Sequence, residues 1–121
     1  MKTTTVHNQR MAKLSFATVY PLYLSKVLRK GKTEEELQIV IHWLTGFTAQ
    51  DIQILIEEKA TFETFFKKAT VNPKCVHISG MICGYRIEEI DNDLTRQVRY
   101  LDKLVDELAN GKKMDKILRT G

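Results

Sequence analysis

Apolar positions along this chain recur mostly with a helical period, and the clearest case lies between Thr33 and Gly46. Leu37, Val40, Ile41 and Leu44 form one stripe there, and Ile39 and Trp43 form a second apolar side. A helix apolar on two sides is usually held between neighbours, so this segment is predicted to be the centre of the core. Both of its ends are marked. Thr33 with Glu36 three residues on makes a capping box. Glu34, Glu35 and Glu36 place negative charge where the helix dipole favours it. Gly46 is positioned to close the helix in the left-handed conformation.

The flanking segments follow the same logic. Residues 1–12 are polar and aperiodic and read as a flexible N-terminal arm, leaving 13–121 as a single helical domain. Leu14 to Tyr20 is short and apolar, and its length fits a strand or a helix equally. Pro21 suits a first helical turn, predicting a helix through Leu22, Leu24, Val27 and Leu28 that stops at Gly31. Tyr23, Lys26 and Lys30 would share its outer face. Thr48 starts another helix, with Ile52, Leu55 and Ile56 inward and Ile54 off the stripe. Thr61 starts a third, where Phe62, Phe65, Phe66 and Ala69 carry aromatic rings into the core.

Asn72-Pro73 breaks the pattern. In Lys74 to Ile90 the residues Met81, Cys83, Tyr85 and Ile87 alternate like a strand, whereas Ile78, Ile82 and Tyr85 fit a helix. The reading adopted is irregular or briefly extended structure near 74–83, then a helix from about Gly84. Leu94, Val98, Leu101, Val105 and Leu108 define a long amphipathic helix ending at Gly111. The seam lasts only about two heptads and Leu104 and Ala109 widen it, so it is predicted to pack internally, against 33–46. Met114, Ile117 and Leu118 mark a last helical turn. The fold class is therefore all-α: a compact single domain of five or six helices.

Composition narrows the class without choosing a function. The 121 residues are 43% apolar and 28% charged, typical of a globular domain with a core of its own. No apolar run reaches the roughly 18 residues of a membrane span. The first ten residues lack the apolar centre of a signal peptide, which points to the cytoplasm and no membrane association. Cys75 and Cys83 would both be free thiols in that compartment. The net charge of +4 is unevenly placed. Residues 1–32 hold seven Lys or Arg and no acid, whereas 33–72 hold three basic and seven acidic residues, a balance of −4. A basic N-terminal third either meets an anionic partner, nucleic acid included, or is a solvated arm and helix face.

Candidate chemistry is sparse. Cys75, His77 and Cys83 form Cys-x-His-x5-Cys, but a structural zinc needs four ligands and no second Cys pair exists, so no metal and no cofactor are expected. A Cys–His nucleophilic pair gains no support from spacing, and neither a Gly-x-Ser-x-Gly elbow nor a phosphate-binding glycine loop is present. Glu88-Glu89 and Asp91-Asn92-Asp93 could hold a cation through oxygens, or cap the long helix. Tyr20, Tyr23, His42, Trp43, Tyr85, Arg86 and Tyr100 could line a ligand pocket, or form an ordinary core edge whose polar tips find partners.

Several runs carry a resemblance. They are Ser15-Phe16-Ala17, Val19-Tyr20-Pro21-Leu22-Tyr23, Arg29-Lys30-Gly31, Trp43-Leu44-Thr45-Gly46, Phe62-Glu63-Thr64-Phe65-Phe66, Asn72-Pro73 and Ile82-Cys83-Gly84. The longest runs from Arg99 to Ala109. From about Leu14 to Arg119 the chain resembles the bacterial domain-of-unknown-function family numbered 2200. The resemblance implies a helical, cytoplasmic, single-domain bacterial protein, and supplies no catalytic residues. The expected function is a small cytoplasmic binding or interaction module with a protein or small-molecule partner. The alternatives are nucleic-acid binding through the basic N-terminal third, and a small enzyme with a pocket near Trp43, Tyr85 and Arg86.

Overall fold

A computed structural model describes residues 4–119. The helices among them are α1 (Thr5–Lys13), α2 (Phe16–Arg29), α3 (Glu34–Thr45), α4 (Ala49–Glu57), α5 (Phe62–Lys68), α6 (Asp93–Ala109) and α7 (Met114–Ile117). Between α5 and α6 lie two 3₁₀ turns, Pro73–His77 and Ile87–Glu89. They flank an antiparallel hairpin of β1 (Met81–Ile82) and β2 (Tyr85–Arg86), in which Met81 pairs with Arg86 and Ile82 with Tyr85. The fold is mainly helical, as the apolar periodicity predicts.

The capping box of α3 forms: Glu36 N–H donates to Thr33 Oγ1 at 3.1 Å, and Thr33 N–H donates to Glu36 Oε1 at 3.0 Å. Gly46 closes the helix at φ +78°. Leu37, Val40, Ile41 and Leu44 are fully buried, and α3 packs against α2 and α6. The inner face of α6 supplies Leu101, Leu104, Val105 and Leu108 to the same core. Phe16, Phe62, Phe65 and Phe66 interlock at one end, with the Phe16 and Phe65 centroids 4.6 Å apart. On the second apolar side of α3, Ile39 alone departs from expectation, at 46% exposed, whereas Trp43 packs partly buried against the core.

Three further segments differ from the sequence reading. Helix α2 begins five residues earlier than Pro21, since the Ser15 side chain accepts from Ala17 N–H and Phe16 N–H donates to Ala60 O at 2.8 Å. Pro21 is accommodated inside the helix on its exposed face. The buried stripe becomes Phe16, Val19, Tyr20, Tyr23 and Val27. Tyr23 therefore points inward, not outward with Lys26, and Leu22 and Leu28 face solvent.

The polar stretch read as an arm carries α1, capped by Thr4 on His7 N–H at 3.1 Å. No residue of α1 is buried. It docks through Met11, which packs partly buried against the core, and through polar contacts, including a 2.7 Å hydrogen bond from the buried Thr95 hydroxyl to Asn8 Oδ1, and one apolar residue leaves no stripe to read. Residues 1–3 of the expected arm lie outside the described residues.

No helix starts near Gly84. Cys83 and Gly84 both take positive φ, +50° and +83°, as the two central residues of a tight hairpin turn require. Ile87 N–H then donates to Gly80 O at 2.9 Å. Helix α6 waits until Asp93, where the Asn92 side chain caps Thr95 N–H at 2.9 Å. The extended piece expected near 74–83 is confined to Met81–Ile82, and Pro73–His77 is a 3₁₀ turn.

Candidate functional site

The corner between α3 and α4 follows from four residues in sequence. The Thr45 hydroxyl donates to Ile41 O at 2.7 Å and accepts from Phe47 N–H at 3.2 Å. Gly46 turns the chain, Phe47 folds back into the core, and Thr48 caps α4. Thr48 and Asp51 exchange side-chain and backbone hydrogen bonds at 3.1 and 2.9 Å. The two helix axes meet at 88°.

A cavity of about 350 Å³ opens in this corner. Glu35, Gln38, Ile39 and His42 line it from α3; Phe47, Thr48 and Ala49 close it from the turn and α4. A smaller cavity of about 160 Å³, lined by Asp51, Ile54, Leu55, Glu58 and Lys68, shares Phe47 with the first. The polar groups of the larger cavity have defined directions. His42 Nδ1 lies 3.0 Å from Phe47 O. A carbonyl only accepts, so His42 Nδ1 carries a proton in this hydrogen bond. Gln38 brings a side-chain amide, both donor and acceptor, to the wall. Glu35 adds a carboxylate. Together these groups form an apolar recess with a polar rim, a suitable receptor for a small ligand or an inserted side chain.

The seven sequence-predicted residues do not gather in one pocket. His42 lines the corner. Tyr20 is buried beside it and donates to Glu34 Oε2 at 2.8 Å; burial, then that carboxylate, raises its pKa to about 12. Trp43 turns away, half-buried, and its carbonyl accepts from Asn72 Nδ2 at 3.2 Å. Tyr23 and Tyr85 meet in a second cluster. The buried Tyr23 hydroxyl donates to Asp102. Arg99 donates to the other Asp102 oxygen at 2.9 Å and lies 5.6 Å over the Tyr85 ring, which in turn faces His7 at 5.6 Å. Burial foremost, then Asp102, drives the Tyr23 pKa well above its ordinary value. This cluster joins α1, α2, α6 and the hairpin through these hydrogen bonds and ring contacts, with His7 Nε2 and Arg99 Nε buried without a partner, so its chemistry is that of a clasp. Arg86 is exposed and 3.8 Å from Glu89. Tyr100 is buried near Arg96 and Cys75, and burial raises its pKa.

Sequence reasoning missed Glu35, Gln38, Ile39 and Phe47 in the corner, and His7, Arg99 and Asp102 in the clasp. Glu35, Gln38, Ile39 and His42 share one helical face, a readable signal. It was obscured by assigning Ile39 to a buried side. Trp43, Tyr85 and Arg86 line neither corner cavity.

Cys75 is half-buried in the first 3₁₀ turn, His77 is exposed at its end, and Cys83 is exposed in the hairpin turn. Among the described residues no group of three His, Cys, Asp or Glu is arranged to hold a metal ion. Cations at both ends of the chain, one of them in the basic N-terminal third, are paired. Lys26 binds Asp106 at 3.0 Å, and Lys112 and Arg119 bind Glu107 at 3.2 and 2.7 Å. No single helix among the described residues is long and apolar enough to cross a membrane.

Comparison with known proteins agrees with the fold and adds no activity. No curated protein matches the chain. The crystal structure of uncharacterized protein SP1917 is similar over 93% of this chain and 93% of its own, at 41% identity and a TM-score of 0.85. Residues 10–119 match a family described as uncharacterized protein conserved in bacteria, and the chain belongs to that family, DUF2200.

Proposed function

We propose that the protein is a small binding module of the bacterial cytoplasm and that its ligand enters the α3–α4 corner. One observation carries this reading: a recess of about 350 Å³ whose wall is apolar and whose rim presents the polar side chains of Glu35, Gln38 and His42. Apolar walls with a few convergent polar groups are the usual form of a ligand site. The two free cysteines, Cys75 and Cys83, fit a reducing compartment. Lys26 of the basic N-terminal third is paired with Asp106, which weakens the basic field that nucleic acid would meet there.

A fragment screen read by amide chemical shifts tests the proposal. Compounds that bind should move Ile39, His42, Phe47 and Ala49 most. Shifts confined to another surface, or no binders at all, would remove the corner as the site.

A further inference from the structure

We infer that the occupant of the corner is a segment of a partner protein, apolar on one side and basic on the other; this rests on the binding reading above. The first argument is chemical. Glu35 places a carboxylate on the α3 rim, and Asp51 and Glu58 place two more along the adjoining cavity. Such a rim is left unsatisfied by an anion and satisfied by a guanidinium or ammonium group. The positive end of α4 is partly answered within the chain. The N–H groups of Thr48 and Asp51 are bound within their own capping box, and Asp51 brings a carboxylate to the helix start.

The second argument is the field around the groove. Residues 33–72 carry a balance of −4, and Asp51 and Glu58 line the adjoining cavity. Lys68 there lies 3.7 Å from Glu58, so its charge is partly answered. The third argument is shape. Two cavities, about 350 and 160 Å³, lie side by side on Phe47. Ile39 and Ile54 are 46% and 43% exposed beside them. Two adjoining recesses with apolar edges suit successive anchors of one peptide, with long basic side chains laying their methylenes on isoleucine and their heads on carboxylates.

The probes are three synthetic helical peptides of about fourteen residues. They share leucine anchors and carry arginine, glutamine or glutamate elsewhere. In amide-shift titrations the arginine peptide should move Ile39, His42, Phe47 and Ile54. It should bind at least about tenfold more tightly than the glutamate peptide. Its affinity should fall as salt is raised. Glu35→Lys should weaken the arginine peptide about fivefold. The melting temperature should be kept. Equal binding of all three peptides, no binding of the arginine peptide, or shifts away from the corner would overturn the inference. If fragments occupy the corner and the arginine peptide does not, only the partner chemistry fails; if neither does, the site itself fails. Concentration-dependent corner shifts with doubled mass and no peptide would identify a second copy as the occupant and overturn the proposal.

Discussion

Tyr23 and Asp102 lie 79 residues apart and are joined by a hydrogen bond from the phenol to the carboxylate, tying α2 to α6. Arg99 holds the second carboxylate oxygen, and the Arg99 and Asp102 side chains are only 12% and 18% exposed. Tyr23→Phe removes one charge-assisted hydrogen bond and should cost about 1.5–3 kcal/mol. Asp102→Ala leaves Arg99 covered without its partner and should cost more, about 3–5 kcal/mol. Urea denaturation of the two variants and their double mutant checks this. Equal, small effects would mean that the clasp contributes little.

Alkaline stability follows from the tyrosines. Tyr20 has an ordinary value near 10, raised to about 12 in the folded protein, and Tyr23 and Tyr100 move in the same direction. The folded state therefore holds these protons more tightly than the unfolded chain. Their contribution is fully present below pH 10 and is lost as pH rises toward about 12. Melting temperatures should fall across that window, and Tyr20→Phe should flatten the fall. Absorbance at alkaline pH should show late ionisation of the same residues in the native protein.

Trp43 and Phe65 differ in burial, and their truncations should differ accordingly. Phe65 is fully buried among Phe16, Phe62 and Phe66, so Phe65→Ala should cost about 3–5 kcal/mol. Trp43 is partly exposed at the edge of the core, and Trp43→Ala should cost less than that. Thermal unfolding of both variants measures the difference, and native tryptophan fluorescence should be intermediate between buried and solvated emission.

Gly46 sets the angle between α3 and α4 through φ +78°. A Cβ there would meet Thr70 no closer than 3.6 Å, so space is adequate and the backbone alone resists substitution. Gly46→Ala should cost about 1–2 kcal/mol. A variant as stable as the parent would show that the turn relaxes.

Much of the fold was legible because capping and apolar period agree with packing. Thr33, Thr48 and Thr61 each accept from the N–H three residues on, as read from sequence. Leu101, Leu104 and Leu108 bury their stripe internally, and α6 packs on α3. What escaped were elements held by long-range or polar contacts. Helix α1 depends on partners such as Thr95, and the start of α2 depends on Ala60. The Cys83-Gly84 turn was hidden because a non-glycine residue takes positive φ there. Of the candidate site, His42 was foreseen. Its groove was not, because whether Ile39 is covered depends on where α4 turns, and one helix's period cannot show that.

The account's central claim is that the α3–α4 corner binds a ligand, and Ile39→Asp tests it most directly. Ile39 is 46% exposed, so the substitution should leave fold and melting temperature nearly unchanged while placing a charge on the apolar wall. The account predicts that fragments binding the parent protein lose the corner in this variant, with affinity down by at least about tenfold. Undiminished binding to a folded Ile39→Asp protein would contradict it.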